Sequence, residues 1–524
     1  MGCLKDVLVA FKSLPTAVND LPASWKEFSI VFKDLQALPV CVLYGAALSL
    51  AAVLHLTAYM IYNLYFHPLR HLPGPLLSRA TRLPMVINKF RGNATWHSRL
   101  HEKYGDVVRL APDEVSFIDP QAWKDIYGFH AGSKENFPKD YTFYGPDAAG
   151  RGGGIFRAND EVHARQRRIF SHAFSDRALN QQEPILKSYV DKLIARLRVF
   201  AKGEPRQRID IEMWYNFTTF DIMADLTFGE PLQLLDNPSK SYFVHNVTDF
   251  LKVQSATQLG RYYPMIAPIL DYLFIPRVIK ANQKKHFKES VSKVNRRMER
   301  QSDRGDIWSL VIRHNKDNAL SIGEMQATGV SFMTAGTETT ATALSGVTYY
   351  LLTNPEKLKK LTTEIRTAFA TEEEMSFIAL ARIPYLQACF NEALRMYPPV
   401  PGGPPRVAPS SGGLVCGERL PPGTTCYFSS FAAYRSPRRF KDPDSFVPER
   451  WMGEEHYVSD NRECVQPFSF GPRNCLGKKY KIPPPPLSYS WTWTVSLTSR
   501  QPRVSRDAIH SGTGAVEFRH GTLR

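Results

Sequence analysis

The sequence has few cysteines, and none of them lies in a spacing typical of metal binding or disulfide exchange. Its 524 residues include seven cysteines, an odd number, and no two of them form a Cys-x-x-Cys motif. This scatter argues against a disulfide framework and against a cysteine-based zinc site. The sequence also lacks an internal repeat and any nucleic-acid-binding module. Its formal net charge of +16 therefore does not by itself indicate a nucleic-acid partner.

One apolar run near the N-terminus is long enough to cross a membrane. Residues 38–62 are interrupted only by Ser49, His55 and Thr57, and about 20 apolar residues span a bilayer as a helix. Lysines and acids balance in residues 1–37, whereas the region after the run carries Arg70, Arg79, Arg82, Lys89 and Arg91. The positive-inside rule then predicts a luminal segment 1–37 and a cytosolic remainder. A buried core helix is the alternative interpretation of the run.

A Pro-rich linker, residues 63–75, follows this run. Prolines stiffen the chain, and they separate the apolar run from the region where the globular domain is predicted to begin, at residue 76.

The most informative motif, Phe-Ser-Phe-Gly-Pro-Arg-Asn-Cys-Leu-Gly, ends at Gly477. Its Cys475 is suited to ligate haem iron, because a thiolate donates electrons strongly and so promotes cleavage of the O–O bond. Gly471 and Gly477 permit the backbone angles of a tight loop whose amides point at the sulfur. Phe468 would exclude water, and Arg473 offers a fixed cation to an acidic group such as a haem propionate. The motif predicts Cys475 as the axial iron ligand.

A second motif, Ala-Gly-Thr-Glu-Thr-Thr, lies inside a long helix that a capping-box pattern begins at Ser321. Small Ala335 and Gly336 would let a flat group approach the helix backbone. Glu338 and Thr339 place an acid beside a hydroxyl, a combination suited to proton delivery to bound dioxygen. A threonine-rich buried helix is the alternative.

The cysteine motif resembles the haem loop of the cytochrome P-450 family, and the helix motif resembles its oxygen-activation motif. The resemblance covers the chain from the apolar run through Gly477. It implies a mostly α fold with a small β portion, preceded by one transmembrane helix, with residues 76–477 forming the haem-thiolate catalytic domain. Residues 163–179 and 214–230 are most similar to fungal members that act on terpenoids or polyketides in secondary metabolism.

The resemblance also implies cofactors and partners. Haem b would bind at Cys475, dioxygen and a lipophilic small molecule would be the substrates, and an NADPH-dependent flavoprotein reductase would supply electrons. The protein would be anchored in the endoplasmic reticulum membrane with its catalytic domain in the cytosol. Loops expected to contact the substrate are residues 137–156, 262–275 and 400–407. A positive face that could steer the acidic reductase is predicted from basic groups near residues 165–168, 435–439 and 478–481.

The resemblance implies roles for two further sets of charged residues. Glu392 and Arg395, three apart on a predicted helix, would join Arg450 in a buried ionic cluster that supports the haem domain. The remaining cations, His163, Arg167 and Arg406, would bind the haem propionates, with His163 standing where the family more usually has Trp. Solvated surface charges are the alternative for both sets.

The sequence departs from the family pattern after Gly477. The family continues into a long helix beneath the haem, but here four prolines at 483–486 cannot extend a helix. Residues 478–524 form an atypical tail, and its part from 487 onward, rich in Ser, Thr, Arg and Gly, predicts disorder. Either the tail is an altered product that costs the chain its haem, or another surface covers the cysteine. Three functions follow: a monooxygenase, an inactive haem-deficient variant, or a haem-thiolate isomerase or dehydratase.

Overall fold

The computed structural model forms two units, Met1–Arg70 and His71–Arg524. It describes residues 42, 44–91, 93–130, 135–145, 154–202, 209–240, 244, 257–265, 267–274, 277–300, 304–314, 320–479 and 517–518. The predicted luminal segment 1–37 lies outside the described residues. The same holds for the tail, apart from residues 478–479 and 517–518.

In the first unit, one helix is long and apolar enough to cross a membrane. It spans Tyr44–Phe66, 23 residues, and its apolar stretch is not buried. At 1.5 Å per residue it is about 35 Å long, which exceeds the roughly 30 Å of a bilayer core. The helix ends four residues later than predicted, inside the Pro-rich linker. It stops at His67, whose extended backbone (ψ 140°) is the conformation favoured before a proline, here Pro68.

The second unit is mostly helical with a small sheet portion, which confirms the predicted fold class. Its helices are α1 Leu76–Ala80, α2 Leu83–Arg91, α3 Asn93–Tyr104, α4 Gln121–Tyr127, α5 Tyr141–Tyr144, α6 Asp160–Phe170, α7 Asp176–Lys202, α8 Ile211–Phe228, α9 Ala267–Phe274, α10 Arg277–Glu299, α11 Ile307–His314, α12 Ile322–Thr353, α13 Pro355–Ala368, α14 Phe377–Leu380, α15 Pro384–Met396 and α16 Ser430–Tyr434. Residues 257–262 are also helical. Short 3₁₀ turns lie at Ser171–Phe174, Pro238–Lys240, Pro448–Trp451, Glu455–Tyr457, Arg462–Cys464, Gly471–Arg473 and Leu476–Lys479.

The strands are short. They are β1 Val107–Ala111, β2 Glu114–Phe117, β3 Ile209–Asp210, β4 Arg406–Val407, β5 Gly413–Val415, β6 Glu418–Leu420, β7 Thr425–Phe428 and β8 Glu517–Phe518. A four-stranded sheet has the order β1-β2-β7-β4, with β2 and β7 parallel and the other two pairs antiparallel. Two-stranded sheets pair β5 with β6 and β3 with β8, so two residues of the tail are paired with the strand that precedes α8.

Helix α12 runs through the main hydrophobic core, packed against α8. Its start is the predicted capping box, since the Ser321 hydroxyl accepts from the Glu324 amide and the Glu324 carboxylate accepts from the Ser321 amide at 2.8 Å. Helix α8 is apolar around most of its circumference and is buried accordingly. Gly336 allows the two helices to approach, because a Cβ there would lie 2.6 Å from the Met223 sulfur.

Two buried histidines on α3 make the fold sensitive to acid. His97 stacks on Tyr427 and its Nε2 has no hydrogen-bond partner, while His101 bonds to the Gly105 carbonyl and the Ser116 hydroxyl at 2.8 Å. Burial, aided by the positive charges of His101 and Lys89, lowers the pKa of His97 to about 3. Burial also lowers the pKa of His101 to about 4.

We therefore expect the free energy of unfolding to fall as the pH drops below about 6.5. Below this pH the two histidines bind protons in the unfolded chain, whereas in the folded chain they do so only near pH 3 to 4. Between pH 7 and pH 5 the loss should reach about 2 kcal/mol for each histidine. Urea unfolding at the two pH values measures it. The difference in unfolding free energy between the two pH values should be smaller in His97→Phe. It should be unchanged in the control His456→Asn, because His456 is exposed. An equal pH dependence in the wild type and both variants would contradict the explanation.

Candidate active site

The cysteine loop is held in a fixed shape by its own backbone. The amide of Cys475 donates to the Phe468 carbonyl at 2.8 Å, and the amide of Asn474 donates to the Gly471 carbonyl at 3.1 Å. Gly471 has a φ of 73°, and a Cβ there would lie 1.9 Å from the Tyr127 carbonyl oxygen at the end of α4. Only glycine fits this position, so the loop docks against α4 because residue 471 has no side chain.

Cys475 itself is exposed, while its neighbours direct polar groups at its sulfur. Desolvation by the surrounding chain raises the pKa of the thiol, and the amides of Gly477 and Lys478 and the Arg167 guanidinium act in the opposite sense. The two amides belong to the 3₁₀ turn Leu476–Lys479. Amides and a cation around a sulfur stabilise a thiolate and moderate its electron donation to a metal.

Four basic side chains converge beside this loop. His163, Lys139 and Arg406 are buried, at 7%, 8% and 4% exposure, and half-buried Arg473 joins them. Burial together with Arg473 and Arg406 lowers the pKa of Lys139 to about 6. Burial together with Arg473, Lys139 and Arg167 lowers the pKa of His163 to about 3. Lys139 and His163 are therefore disfavoured in their charged forms, both by burial and by the cations beside them.

The basic cluster has more hydrogen-bond donors than acceptors. Arg473 donates through Nε and Nη2 to Asp160, at 2.8 and 2.5 Å, and its buried Nη1 has no partner. The buried Nε of Arg406 has none either. Within the described part of the chain, Asp160 is the carboxylate that bonds to the cluster. The two propionates of a haem fit this arrangement, because they would supply the missing acceptors and negative charge.

Lys139 was not identified from the sequence. Its position depends on a backbone bridge between residues 139 and 406, which joins a loop to β4 and so brings the two cations together. No local pattern distinguishes Lys139 from the other lysines, so a sequence signal for it is absent.

Arg167, expected to bind a propionate, has a different partner in the structure. Its Nη1 donates to the Asn474 carbonyl at 2.5 Å and its Nη2 to the Asn474 side-chain oxygen at 2.7 Å. The guanidinium therefore binds the cysteine loop itself.

The Ala-Gly-Thr-Glu-Thr-Thr motif lies in the middle of α12. The Thr339 hydroxyl donates to the Ala335 carbonyl at 2.6 Å, and Ala335 is exposed although the helix runs through the core. Ala335 and Thr339, one turn apart, are thus the open side of the helix, whereas Gly336 faces Met223 of α8. The approach of a flat group to α12 consequently depends on Ala335 rather than on Gly336.

The acid of this motif is half-buried, and burial raises the pKa of Glu338. A second carboxylate, Glu212 at the start of α8, was not identified from the sequence. Burial, Asp210 and Glu338 together raise the pKa of Glu212 to about 7. Both acids are therefore biased toward the protonated form that can donate a proton.

The structure brings Glu392, Arg395 and Arg450 together with no exposure of any of the three. Arg395 donates to both Glu392 oxygens, at 2.9 and 2.7 Å, and Arg450 Nε donates to Glu392 Oε1 at 2.9 Å. Arg450 also pairs with Asp460, a residue that the sequence did not indicate. Burial acts to raise the pKa of Glu392, but the two arginines hold it below its usual range.

A cavity of about 470 Å³ joins the three loops expected to contact the substrate. Lys139, Thr142, Tyr262 and Val407 line it, together with Arg82. The Arg82 guanidinium lies over the Tyr262 ring, 4.2 Å from its centroid, and so contacts the helix of residues 257–262 at the cavity. The cavity reaches the basic cluster through Lys139, which belongs to both.

Comparison with known proteins agrees with these motifs. The cytochrome P-450 family model matches residues 77–480. The chain is similar to the cytochrome P-450 monooxygenases FUM2 of Gibberella moniliformis (46% identical over 420 residues; 80% of this chain and 89% of that protein) and efuB of Hormonema carpetanum (42% over 423 residues; 80% and 83%). It is also similar to the cytochrome P-450 monooxygenase atr2 of Stereocaulon alpinum (41% over 441 residues; 83% and 86%). The family match ends at residue 480, close to where the sequence departs from the pattern. The chain is an oxidoreductase and belongs to the cytochrome P-450 monooxygenase family.

Proposed function

We propose that this chain binds haem b through Cys475 and hydroxylates a lipophilic small molecule, a terpenoid or a polyketide, in fungal secondary metabolism. The observation that carries the proposal is the buried basic cluster beside an ordered cysteine loop. Four basic side chains share one carboxylate there, and the lowered pKa values of Lys139 and His163 mean that charging the cluster is unfavourable unless an anionic group binds.

The residues have separate tasks in this proposal. Cys475 ligates the iron, and Gly471 and Gly477 shape its loop. His163, Arg167, Arg406 and Arg473 would hold the propionates, together with Lys139. When bound, the haem supplies the activation of dioxygen, driven by electron donation from the thiolate.

Proton supply falls to α12. Thr339 presents its hydroxyl on the open side of the helix next to Ala335, and Glu338 is the half-buried acid beside it. Burial raises the pKa of Glu338, which biases this acid toward the protonated form that can donate a proton. Phe468 would help to screen the sulfur from water when haem is bound.

The proposal includes location and partners. The Tyr44–Phe66 helix would anchor the protein in the endoplasmic reticulum membrane, with residues 1–37 luminal and the catalytic domain cytosolic. Electrons would come from NADPH through a flavoprotein reductase that docks on the basic face. Substrates would enter through the cavity lined by Arg82, Thr142 and Tyr262.

A second candidate is a chain that cannot retain haem. It is favoured by the family match that ends at residue 480 and by the four prolines that follow at 483–486. The deciding experiment is the reduced, carbon-monoxide-bound difference spectrum of the full chain, expressed in microsomes with a reductase. We expect the red-shifted Soret band of a thiolate-ligated haem. Expressed protein without any haem band would reject the proposal and select the haem-deficient candidate.

Thr339→Ala tests the proton-supply role. We expect product formation to fall about 100-fold, because positioned proton transfer contributes roughly 10²- to 10⁴-fold to rate, while NADPH oxidation continues and releases hydrogen peroxide. Product, NADPH and peroxide are measured together. Thr353→Ala is the control, since its hydroxyl makes the same kind of bond to a carbonyl four residues earlier, at 2.9 Å, at the far end of α12. An unchanged product rate in Thr339→Ala would favour isomerisation or dehydration, which need no proton delivery to dioxygen.

A further inference from the structure

The guanidinium of Arg82, the residue before α2, is held in one orientation by two carboxylates. Its Nη1 donates to Glu114 Oε2 at 3.0 Å, and its Nη2 donates to Asp113. Glu114 is itself fixed, because it is buried in β2 and accepts from the Tyr427 hydroxyl of β7 at 3.0 Å. Burial acts to lower the pKa of Arg82, but Glu114 and Asp113 raise it above its usual value. Arg82 therefore presents a charged, planar face that is anchored to the four-stranded sheet.

The side chain that covers this face is Tyr262, in the helix of residues 257–262. Its ring centroid lies 4.2 Å from the central carbon of the Arg82 guanidinium, and its hydroxyl accepts from buried Gln258 at 3.2 Å. A guanidinium stacked on a tyrosine ring is attracted electrostatically, and the attraction is stronger when the pair is removed from water. Arg82 and Tyr262 both line the cavity of about 470 Å³, so the stack forms part of its wall.

Two further contacts of this helix are polar as well. Lys89 of α2 donates to Gln258, and Arg261 donates to the carbonyls of residues 142 and 143 in α5, at 2.7 and 3.0 Å. Large apolar side chains that follow the helix are exposed, namely Met265, Ile269 and Tyr272. Water can replace polar contacts at a small net cost in free energy, whereas exposing buried apolar surface costs free energy in proportion to its area. The helix is therefore held over the cavity by contacts that can open and form again.

We propose that Arg82 is a specificity-determining residue: its stack with Tyr262 closes the cavity, and a bulky molecule passes only while the stack is broken. The proposal rests on the proposed function, in which substrates enter through this cavity. Asp113 and Glu114 contribute by keeping the guanidinium face in place, so that breaking the stack moves the helix of residues 257–262 rather than Arg82. A molecule small enough to pass beside the closed stack does not require it to open.

The test uses three variants of the full chain and one matched control. Tyr262→Leu removes the stack and keeps an apolar side chain, Tyr262→Phe keeps the ring without its hydroxyl, and Arg82→Lys keeps the positive charge without the planar face. Tyr457→Leu is the control, because it removes a similar stack, on the Arg450 guanidinium at 4.7 Å, from residues that do not line the cavity. The first readout needs no haem: it is the amide hydrogen exchange of residues 258–265 in the haem-free protein.

We expect exchange in this helix to become about tenfold faster in Tyr262→Leu, since losing a cation–π contact removed from water shifts the opening equilibrium by about that factor. Arg82→Lys should show a smaller increase, whereas Tyr262→Phe and Tyr457→Leu should exchange like the wild type. The double variant of Arg82→Lys and Tyr262→Leu should exchange no faster than Tyr262→Leu alone, because both changes break one contact. Should Arg82→Lys fail to fold, Tyr262→Leu and Tyr262→Phe provide the same comparison.

The second readout uses the haem-loaded protein and two probes, imidazole and the bulky 1-tritylimidazole, whose ring nitrogen binds iron and shifts the haem spectrum. In Tyr262→Leu we expect tritylimidazole to associate and dissociate about tenfold faster with an unchanged Kd, and the imidazole rates to stay as in the wild type.

Equal hydrogen exchange in Tyr262→Leu and Tyr457→Leu would overturn the inference. Faster exchange with unchanged tritylimidazole rates, or an equal acceleration of both probes, would overturn it as well. A wild-type chain that takes up no haem would instead refute the proposed function, and the exchange data would still decide whether the stack holds the helix over the cavity.

Discussion

Replacing Cys475 with serine is expected to abolish the red-shifted Soret band of the reduced, carbon-monoxide-bound protein and to reduce product formation to background. A hydroxyl lacks the strong electron donation of a thiolate, so the iron would lose both its ligand and the push that activates dioxygen. The loop should keep its shape, because its bonds use the backbone amide of residue 475 and the backbone carbonyl of Asn474, and both remain when serine replaces the cysteine. Difference spectra and haem content per protein measure the effect.

Cys416→Ser is the control for this experiment. Cys416 is half-buried in the turn between β5 and β6, and its amide, not its thiol, makes the hydrogen bond to Asp125. The control should retain full haem content. A Cys475→Ser protein that kept the red-shifted band would mean that a different residue ligates the iron, and the assignment of Cys475 would be wrong.

The largest effect on stability is expected for Glu392→Gln, which should lower the free energy of unfolding by about 3–5 kcal/mol. Glu392 accepts from Arg395, Arg450 and the Trp451 indole, and it is completely buried. Removing its charge leaves two guanidiniums in the core facing a neutral amide. Urea unfolding of the full chain, followed by far-UV circular dichroism, gives the difference from the wild type.

The matched control is Asp444→Asn, which also removes an acid paired with an arginine. Asp444 accepts from Arg435 at 2.8 Å, but its side chain is 81% exposed. Exposed pairs contribute at most about 1 kcal/mol, so this variant should remain close to the wild type. Equal losses of unfolding free energy in Glu392→Gln and Asp444→Asn would contradict the prediction that the buried cluster stabilises the fold.

The contribution of Glu392 to stability depends on pH, because its pKa is lower in the folded chain than in the unfolded chain. This contribution is complete above the unfolded pKa of about 4.3 and is lost as the pH falls through the folded pKa.

Several features were predictable because short-range chemistry decides them. The capping box at Ser321 and Glu324 specifies where α12 begins, since the two residues bond to each other across one helical turn. Gly471 could be assigned to a tight loop because its backbone angle suits only glycine. The apolar run of residues 38–62 indicated a helix long enough to cross a membrane, and the helix extends four residues further, to Phe66.

Other features depended on which distant segments meet. Lys139 joins Arg406 only because a loop pairs with β4 across 267 positions of sequence, and Asp460 joins the Glu392 cluster in the same way. Glu212 reaches Glu338 because α8 packs along α12. Gly336 lies against Met223 and Arg167 donates to Asn474, and the sequence indicated neither of these contacts.

The amino-acid order was enough to propose Cys475 as the iron ligand, to place the acid and the hydroxyl in one helix, and to locate a run long enough to cross a membrane, because each is encoded within a few neighbouring residues. Tertiary structure decided the partners of charged side chains that lie on separate elements, such as Lys139, Arg167 and Asp460. A guanidinium or carboxylate binds whichever opposite or polar group folding brings within about 3 Å, and sequence spacing does not fix that distance between separate elements. For this reason the motif located Cys475, while the fold brought Arg167 into contact with Asn474 of the same loop.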